Sequence, residues 1–231
     1  MLKALLTDVD GTITDAHRRI HTGAIGVMRD LMEQGIEVVL ASGNTACFMD
    51  ALGRMIGTSG AFIGENGGVH RAVYTGELHI NGDPAAPRAA FEVLNAYFAR
   101  KGVKLELYSP QYRFVDIAFA RTVSSAEVRE VIRDFPVTVL DTGFAIHLQH
   151  SGITKATGFQ RLASDMGLST ADFLAIGDAM NDREMLEAAG IGVTVANAPA
   201  DLRSQVVWVS EKRYGEGFID AVRHYSSYFR D

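Results

Sequence analysis

The chain has 231 residues and a formal net charge of −6 at pH 7, which argues against nucleic acid or an anionic membrane as a general partner. A single cysteine excludes an internal disulfide framework and a cysteine-based zinc cluster. Hydrophobic residues make up 47% of the chain, yet no apolar run is long enough to span a bilayer. The chain enters an apolar strand without the zones of a signal peptide, so we expect a cytoplasmic protein.

Short apolar runs alternate with amphipathic stretches in the N-terminal part of the chain. Residues 2–6 are typical of a buried strand, and "IEVVLA" and "GAFIG" predict two more. Between them, "TGAIGVMRDLMEQG" carries apolar residues at helical spacing and ends at Gly35. Another helix is predicted up to about Ile56, and "ENGG" then turns the chain.

The C-terminal part shows the same alternation. Helices are predicted at "KATGFQRLASDMG", "NDREMLEAAG" and "GFIDAVRHYSSYF", and strands at "DFLAIGD", "IGVTVAN" and "SQVVWVS". Strands separated by helices indicate a parallel sheet that is covered on both faces. The predicted fold class is therefore α/β, with a Rossmann-like parallel sheet at its core.

The middle of the chain, residues 79–152, has a different order of elements. After the turn signals of "NGDPAAP" come a helix ("AAFEVLNAYFARKG"), two strands ("KLELY", "RFVDIAF"), a helix ("SAEVREVIRDF") and two strands ("VTVLDT", "FAIHLQH"). This order is typical of an α+β layer. We predict a smaller inserted domain at 79–152 and a parallel domain made of residues 1–78 and 153–231.

Four polar stretches lie where predicted strands end or a helix begins: "DVDGT" (8–12), "SGN" (42–44), Lys155 and "GDAMND" (177–182). Ligands of open parallel sheets bind beyond the carboxyl ends of the strands, so we expect these stretches to meet. Strand alternation would place Asp8 and Asp10 on the same side. Two charges about 4 Å apart repel by roughly 4 kcal/mol at an effective dielectric near 20. A cation, a shared proton or solvent must relieve that repulsion.

These residue types suit phosphoryl transfer. Asp8, Asp10 and Asp178 offer the hard oxygen ligands that Mg²⁺ prefers, and a carboxylate can attack phosphorus to form an aspartyl-phosphate. A lysine and a metal ion neutralise charge on the transferring group. Three glycines would let backbone amides approach a phosphate closely: Gly11, Gly43 and Gly177.

In this order, the four stretches resemble the four motifs of the haloacid dehalogenase superfamily phosphatases. The α+β insert between the second and third motifs resembles the cap of the Cof-like branch. The short length, "SGN" (with Asn44 where many relatives have arginine) and "GENGG" at 64–68 are most similar to archaeal-type phosphoglycolate phosphatases. Each motif alone is more often a surface turn, a helix cap or a solvated lysine. Their joint occurrence carries the prediction.

The resemblance implies a Mg²⁺-dependent phosphomonoesterase that converts 2-phosphoglycolate to glycolate and phosphate. Asp8 would be the nucleophile and a metal ligand. Asp10 would protonate the leaving alcohol, activate water and offer its backbone carbonyl to the metal. The remaining residues would hold the phosphoryl group (Ser42, Gly43, Asn44 and Lys155) or bind the metal (Asp178, with Asp182 and Asn181 near it or behind it).

Other conspicuous residues have plainer interpretations. Arg113, in the insert, is a candidate contact for a substrate carboxylate because arginine forks suit that group, although an exposed arginine is the simpler prediction. His147 and His150 fall on opposite faces of a strand, which predicts ordinary polar residues rather than a metal pair. We expect Cys47 to be a small buried residue and Trp208 to lie in the core.

Alternative functions stay open at this point. The same chemistry would serve a sugar phosphate or another small phosphate ester. A phospho-acceptor signalling domain shares the acids, the Mg²⁺ and the lysine, but it is much shorter and lacks a large insert. A catalytically inactive binding module would not need every one of these groups. We expect a small phosphorylated metabolite as partner, no nucleic acid or membrane, and a monomer or homodimer.

Overall fold

The structure is a computed structural model that describes residues 1–229. Eleven strands lie within this range: β1 (Ala4–Asp8), β2 (Glu37–Ala41), β3 (Phe62–Gly64), β4 (Val69–Arg71), β5 (His79–Ile80), β6 (Ile117–Ala120), β7 (Val137–Asp141), β8 (Ala145–His150), β9 (Phe173–Gly177), β10 (Ile191–Thr194) and β11 (Trp208–Val209). The α-helices in the same range are α1 (Thr22–Glu33), α2 (Ala46–Ile56), α3 (Ala85–Arg100), α4 (Ser125–Val131), α5 (Lys155–Asp165), α6 (Arg183–Ala188), α7 (Ala200–Arg203) and α8 (Tyr214–His224).

The larger sheet has eight strands in the order β11-β10-β9-β1-β2-β3-β4-β5. From β11 to β3 all neighbours are parallel, and β4 and β5 extend the β3 edge in antiparallel pairing. Strand β1 lies at the centre, with Asp8 opposite Ala41 of β2 and Thr7 opposite Ile176 of β9. The ends of β1, β2 and β9 therefore lie side by side at one edge of the sheet.

Helices cover both faces of this sheet, which explains why β1 is apolar along its whole length. Leu5 belongs to a core cluster that includes residues of α1, α2 and α8, and Leu6 belongs to a second cluster with residues of α5, α6 and α7. Complete burial of a leucine contributes about 1.5–3 kcal/mol. The alternation of side chains along one strand thus fastens helices to both faces. The predicted α/β class is confirmed.

A smaller antiparallel sheet, in the order β6-β8-β7, forms a second layer. It has its own core, in which Leu94 and Phe98 of α3 and Val128 of α4 pack with Phe119 and Ile146 of the sheet. The chain division at residues 79 and 152 stays a prediction. Strand β5, His79–Ile80, pairs with β4 in the larger sheet.

Several predicted elements differ from the structure. The predicted strand "KLELY" forms only an isolated bridge between Leu107 and Phe119, because Leu105 alone in the segment is buried. The predicted strand "SQVVWVS" shortens to β11, preceded by an exposed Val207. The antiparallel pair β4 and β5 lies in stretches for which no helix or strand was predicted. Strands as short as these bury few side chains, so the sequence shows little alternation of apolar and polar residues.

The predictions for Cys47 and Trp208 also need revision. Cys47 is exposed, because the buried face of α2 is formed by residues such as Ala46, Met49 and Ile56. Trp208 is only partly buried, and it packs on the core and stacks on His224 with ring centroids 4.6 Å apart. Within residues 1–229, no helix combines the length and apolar character that crossing a bilayer requires.

Candidate active site

The ends of three adjacent strands bring the predicted residues together. Strand β1 ends at Asp8, Ser42 follows β2, and Asp178 follows β9. Lys155, at the start of α5, reaches the same place and is buried. A cavity of about 450 Å³ opens above Asp8, Ser42 and Lys155. Asp8, Ser42 and Lys155 line one side of the cavity, and Asp178 and Asp182 lie next to Asp8; we call these five residues the floor.

Lys155 is the central cation of the floor. Its Nζ donates to Asp8 Oδ1 and to Asp182 Oδ1, at 2.5 Å each. Burial by itself lowers the pKa of Lys155, but the charges of Asp182 and Asp8 outweigh burial and place its pKa above the usual value. Burial likewise raises the pKa of Asp8 well above its usual value, and Lys155 offsets only part of that rise. The single positive charge of Lys155 therefore does not balance the two carboxylates, Asp8 and Asp182, that it contacts.

Asp182 lies behind this pair, with both carboxylate oxygens in use. Its Oδ2 accepts the backbone N–H groups of Asp178 and Ala179, at 3.0 and 2.9 Å, while Oδ1 accepts from Lys155. The tight turn after β9 brings Gly177 against this side chain, where a Cβ would lie 2.6 Å from the carboxyl carbon of Asp182. Asp182 therefore fixes the backbone that carries Asp178 and also orients the lysine.

Asp178 is held from its other side by two neutral donors. Thr12 Oγ1 donates to its Oδ1 at 3.3 Å, and Asn197 Nδ2 donates to its Oδ2 at 3.0 Å. Burial and the neighbouring charge of Asp182 raise the pKa of Asp178 to about 7. Gly11 packs directly on this carboxylate, where a Cβ would lie 2.2 Å from Asp178 Oδ2, and its φ of +91° is a left-handed conformation that favours glycine. Asn197 was not predicted, because it follows β10 in a stretch without a motif.

Asp10 lines the same cavity, and its carboxylate has hydrogen-bond partners of its own. Its Oδ2 accepts from Asn44 Nδ2 at 2.8 Å, and its Oδ1 accepts from Arg18 Nε at 2.9 Å. Strand β1 already ends at Asp8, so the alternation argument that paired the Asp8 and Asp10 side chains does not apply. Asn44 Nδ2 also donates to Ser42 Oγ at 2.9 Å and so links "SGN" to "DVDGT". Gly43 and Asn181 line the cavity as well.

The floor fits a divalent cation. Asp8, Asp178 and Asp182 each bring a carboxylate oxygen within 4.8 Å of the others. Three carboxylates face one lysine, and the raised pKa values of Asp8 and Asp178 show that burial without further positive charge disfavours their ionised forms. A cation with hard oxygen ligands would relieve this. Within residues 1–229, Asp182 accepts three hydrogen bonds, Asp178 accepts two from neutral side chains, and Asp8 accepts one, so Asp8 and Asp178 are less fully engaged than Asp182.

A second group of possible metal ligands, His70, His79 and Asp165, lies away from the cavity. Asn81 accepts from Arg161 through Oδ1, so its Nδ2 faces His70 Nδ1 at 2.9 Å and donates to it. The proton of His70 therefore resides on Nε2, which donates to Asp165 at 2.7 Å. A protonated ring nitrogen does not bind a metal. This cluster is accordingly a hydrogen-bonded support between β4 and α5.

The other side of the cavity, which we call the roof, is formed by residues of the smaller sheet and the segment before it. Arg113 and His147 line it, together with Tyr108 and Phe144. Arg113 is thus at the cavity, with a side chain only 8% exposed, and is not a solvated surface arginine. His147 does lie on the opposite face from His150. It is not an ordinary polar residue, however, because its side chain is buried and bonds to Asp116.

Glu65 joins the roof to the larger sheet. It follows β3, is fully buried, and accepts the backbone N–H groups of Phe114, Val115 and Asp116 at 2.9, 2.9 and 3.1 Å. Burial, and secondarily the charge of Asp116, raises the pKa of Glu65 to about 7. Gln149 Nε2 adds a bond from β8 to the carbonyl of Glu65 at 2.9 Å. "GENGG" therefore has a structural function at this junction.

Comparison with known proteins agrees with this geometry. The family model of haloacid dehalogenase-like hydrolases matches residues 5–139 and 124–222. A phosphoglycolate phosphatase of Methanoculleus marisnigri is 60% identical over 99% of this chain and 98% of its own, and one of Methanospirillum hungatei is 47% identical over 97% of each. A Thermoplasma acidophilum crystal structure superposes with a TM-score of 0.87 at 26% identity, over 98% of this chain and 99% of that one. This chain belongs to the haloacid dehalogenase-like hydrolases, in the branch of the archaeal phosphoglycolate phosphatases.

Proposed function

We propose that this phosphatase hydrolyses 2-phosphoglycolate to glycolate and inorganic phosphate through an aspartyl-phosphate on Asp8. The observation that carries the proposal is the buried contact between Lys155 and Asp8, at a strand end that opens into a cavity under an arginine and a histidine. The relatives named phosphoglycolate phosphatases, which match along almost the whole chain, support the substrate.

In the first half-reaction, Asp8 attacks phosphorus and Asp10 acts as the acid. A bond forms between a carboxylate oxygen of Asp8 and phosphorus, and the bond from phosphorus to the ester oxygen breaks. The proton of Asp10 goes to that oxygen, so glycolate leaves as the alcohol. Lys155 and Ser42, with the backbone at Gly43, bind the phosphoryl oxygens and stabilise their charge. Asn44 holds Asp10 beside Ser42, and this contact orients the acid.

In the second half-reaction, Asp10 acts as the base. Its carboxylate takes a proton from water, the water oxygen bonds to phosphorus, and the acyl-phosphate bond to Asp8 breaks. Phosphate leaves, and Asp10 again carries the proton that the next substrate needs. Asp10 is bonded to Asn44 and Arg18 and not to Lys155, so the acid–base group and the nucleophile have separate partners.

We propose Mg²⁺ as the cofactor of this site. Asp8, Asp178 and the backbone carbonyl of Asp10 would hold it, and Asp182 would act from behind through its bonds to Lys155 and to the backbone of Asp178. When bound, Mg²⁺ supplies positive charge against the phosphoryl oxygens. Asn197 and Thr12 orient Asp178 for this purpose.

A second candidate substrate class is favoured by the size of the cavity. About 450 Å³ is more than glycolate and a phosphoryl group fill, so sugar phosphates and other small phosphate esters also belong in the test. We further propose that residues 79–152 act as a cap that covers the floor and excludes macromolecules. Rapid turnover of a small ester would separate this function from that of a phospho-acceptor signalling domain, which needs a long-lived phospho-aspartate.

The experiment is phosphate release from a panel of small esters, with Mg²⁺ and with a chelator, for the unmodified protein and Asp8→Asn. We expect turnover of 2-phosphoglycolate that requires the metal and falls at least about 1,000-fold in Asp8→Asn, because the amide cannot attack phosphorus. Asp201→Asn, an exposed aspartate of α7, is the matched control and should retain full activity. Turnover that survives in Asp8→Asn would contradict the assignment of the nucleophile.

A further inference from the structure

The roof contains an anchored cluster that the proposed catalytic steps do not use. The side chain of Asp116 is fully buried, and its Oδ1 accepts from Arg113 Nη1 at 2.6 Å while its Oδ2 accepts from His147 Nδ1 at 2.8 Å. Burial pushes the pKa of Asp116 up, but the hydrogen bond and charge of His147, and then the charge of Arg113, outweigh burial and hold its pKa below the usual value. Asp116 is therefore an ionised carboxylate with both oxygens in use.

Asp116 in turn fixes which atoms of its two partners are free. With Nδ1 donating to Asp116, His147 retains Nε2, which makes no hydrogen bond within residues 1–229. Arg113 also donates from Nε to the carbonyl of Tyr108 at 3.0 Å and from Nη1 to the carbonyl of Gly43 at 3.2 Å. Its Nη2 has no such partner among the same residues. Both side chains line the cavity, so two nitrogens remain for a ligand.

We propose that His147 and Arg113, both held by Asp116, bind a carboxylate of the leaving group. This inference rests on the proposed function and names the part of the substrate that the roof recognises. A guanidinium has only donors, and the Nε2 of an imidazolium is a donor as well, so both free nitrogens suit a carboxylate. The bond from Arg113 to the carbonyl of Gly43 fixes the cluster against the floor, so the carboxylate site lies at a set distance from the phosphoryl site.

The other arginine at the cavity is a weaker candidate for this contact. Arg18 Nε is engaged with Asp10, its side chain is half exposed, and its guanidinium stacks on the Phe144 ring at 4.1 Å. Arg18 therefore lies at the solvent-exposed edge of the cavity and holds Asp10 in place. A carboxylate bound there would compete with Asp10 for the same cation. Arg113 is nearly buried instead, and its carboxylate partner, Asp116, takes no part in the proposed catalytic steps.

The test compares two esters that differ in the carboxylate: 2-phosphoglycolate and ethyl phosphate. His147→Asn keeps a donor near the position of Nδ1 for Asp116 and removes Nε2, whereas His147→Gln keeps an amide nitrogen near the position of Nε2. The ratio of kcat/KM for 2-phosphoglycolate to that for ethyl phosphate should fall about 10- to 100-fold in His147→Asn, the range for a lost hydrogen bond to a charged group. His147→Gln should retain part of the ratio.

His150→Asn is the matched control, since His150 lies three residues further along β8 and its side chain, within residues 1–229, bonds only to the backbone of Ser151. It should leave the ratio unchanged. A ratio in His147→Asn equal to that of the unmodified protein would overturn the proposal. A merely structural function of His147 would lower both kcat/KM values together and leave the ratio intact, which would overturn it equally.

Failure of this proposal is distinguishable from failure of the proposed function. If the unmodified protein hydrolyses both esters with equal kcat/KM and needs Asp8, the proposed phosphatase reaction is supported and the proposed carboxylate site is wrong. If no ester is hydrolysed, the proposed function fails, and calorimetry on Asp8→Asn decides the binding question. Tighter binding of 2-phosphoglycolate than of ethyl phosphate, abolished by adding His147→Asn, would support the site. Equal affinity for the two esters would overturn it.

Discussion

The floor and the roof of the cavity both bury charged side chains, but they balance the charge differently. In the floor, Asp8, Asp178 and Asp182 surround the single cation Lys155. In the roof, one aspartate, Asp116, is satisfied by two donors. The floor therefore carries an excess of negative charge that suits a cation, and the charge of a bound cation would in turn attract a phosphoryl group. The roof is complete without a ligand, and it offers donors to whatever the phosphoryl group is attached to.

This difference suggests that the floor carries out phosphoryl transfer and that the roof selects the leaving group. Groups in the floor should affect every ester alike, because each ester presents the same phosphoryl group. Groups in the roof should affect only the discrimination among leaving groups. The following experiments would sharpen that separation or break it, and they are arranged from the largest expected effect to the smallest.

The largest effect should come from Lys155→Met in the floor. Loss of this cation should reduce turnover of every ester at least about 1,000-fold, because we propose that Lys155 neutralises charge on the phosphoryl oxygens. Without metal, the free energy of unfolding should fall by about 3–5 kcal/mol, since Asp8 and Asp182 remain buried with no counter-charge. Steady-state kinetics on the panel and urea unfolding measure the two effects.

The matched control for this prediction is Lys3→Met. Lys3 is an exposed lysine, and its ion pair with Asp172, 3.1 Å long, should contribute less than about 1 kcal/mol. A Lys155→Met protein with normal turnover but an altered order of preferred esters would show that the floor also selects the leaving group. The separation of the two sides would then be wrong.

Glu65→Gln probes the junction between the two sides and should have an intermediate effect. The pKa of Glu65 rises from 4.5 to about 7 on folding, so the folded protein holds this proton at pH values where the unfolded chain has lost it. The stabilisation is present below pH 4.5 and is lost as pH rises through 7, by at most about 3 kcal/mol. The variant should lack this part of the pH dependence.

Urea unfolding of the unmodified protein and Glu65→Gln at pH 5 and pH 8 measures the difference. The free energy of unfolding of the unmodified protein should fall more between the two pH values than that of the variant. Asp8 and Asp178 titrate with the same sign in both proteins, so they cancel in the comparison. Parallel pH profiles would show that the three backbone N–H groups keep Glu65 ionised throughout.

The smallest effect should come from Asn197→Ala. Asn197 donates to Asp178 and to the carbonyl of Gly11, at 3.0 Å each, and its Oδ1 accepts the backbone N–H of Tyr214 at 2.7 Å. Removal of such a support for a metal ligand costs about 10- to 100-fold in metal affinity or activity. Titration of activity with Mg²⁺ should show a raised half-saturating concentration and little change in the ratio of kcat/KM between esters. A changed ratio would link this position to the roof.

The predicted strands and helices match the structure where the apolar pattern of the sequence corresponds to burial in the fold. The strands β1, β2 and β9 are apolar throughout because helices cover both faces, and the polar residues that follow them lie together because parallel strands end at one edge. The strand predicted at 104–108 was wrong because Leu105 is the one buried residue of that segment, which is too little burial to hold a strand in a sheet. Asp8 and Asp10 do line the same cavity, but strand alternation is not the reason, because β1 ends at Asp8.

The sequence by itself determined the floor: short motifs at Asp8, Ser42, Lys155 and Asp178 carry enough local signal to place each at a strand end or helix start. Only the tertiary structure decided the roof. Asp116 and His147 are 31 residues apart, and neither lies in a recognisable motif. A side chain with long-range partners is defined by how sheets and loops pack, and that packing leaves no fixed spacing in the sequence. The same reason hid the contact of Asn197 with Asp178, which joins residues 19 apart.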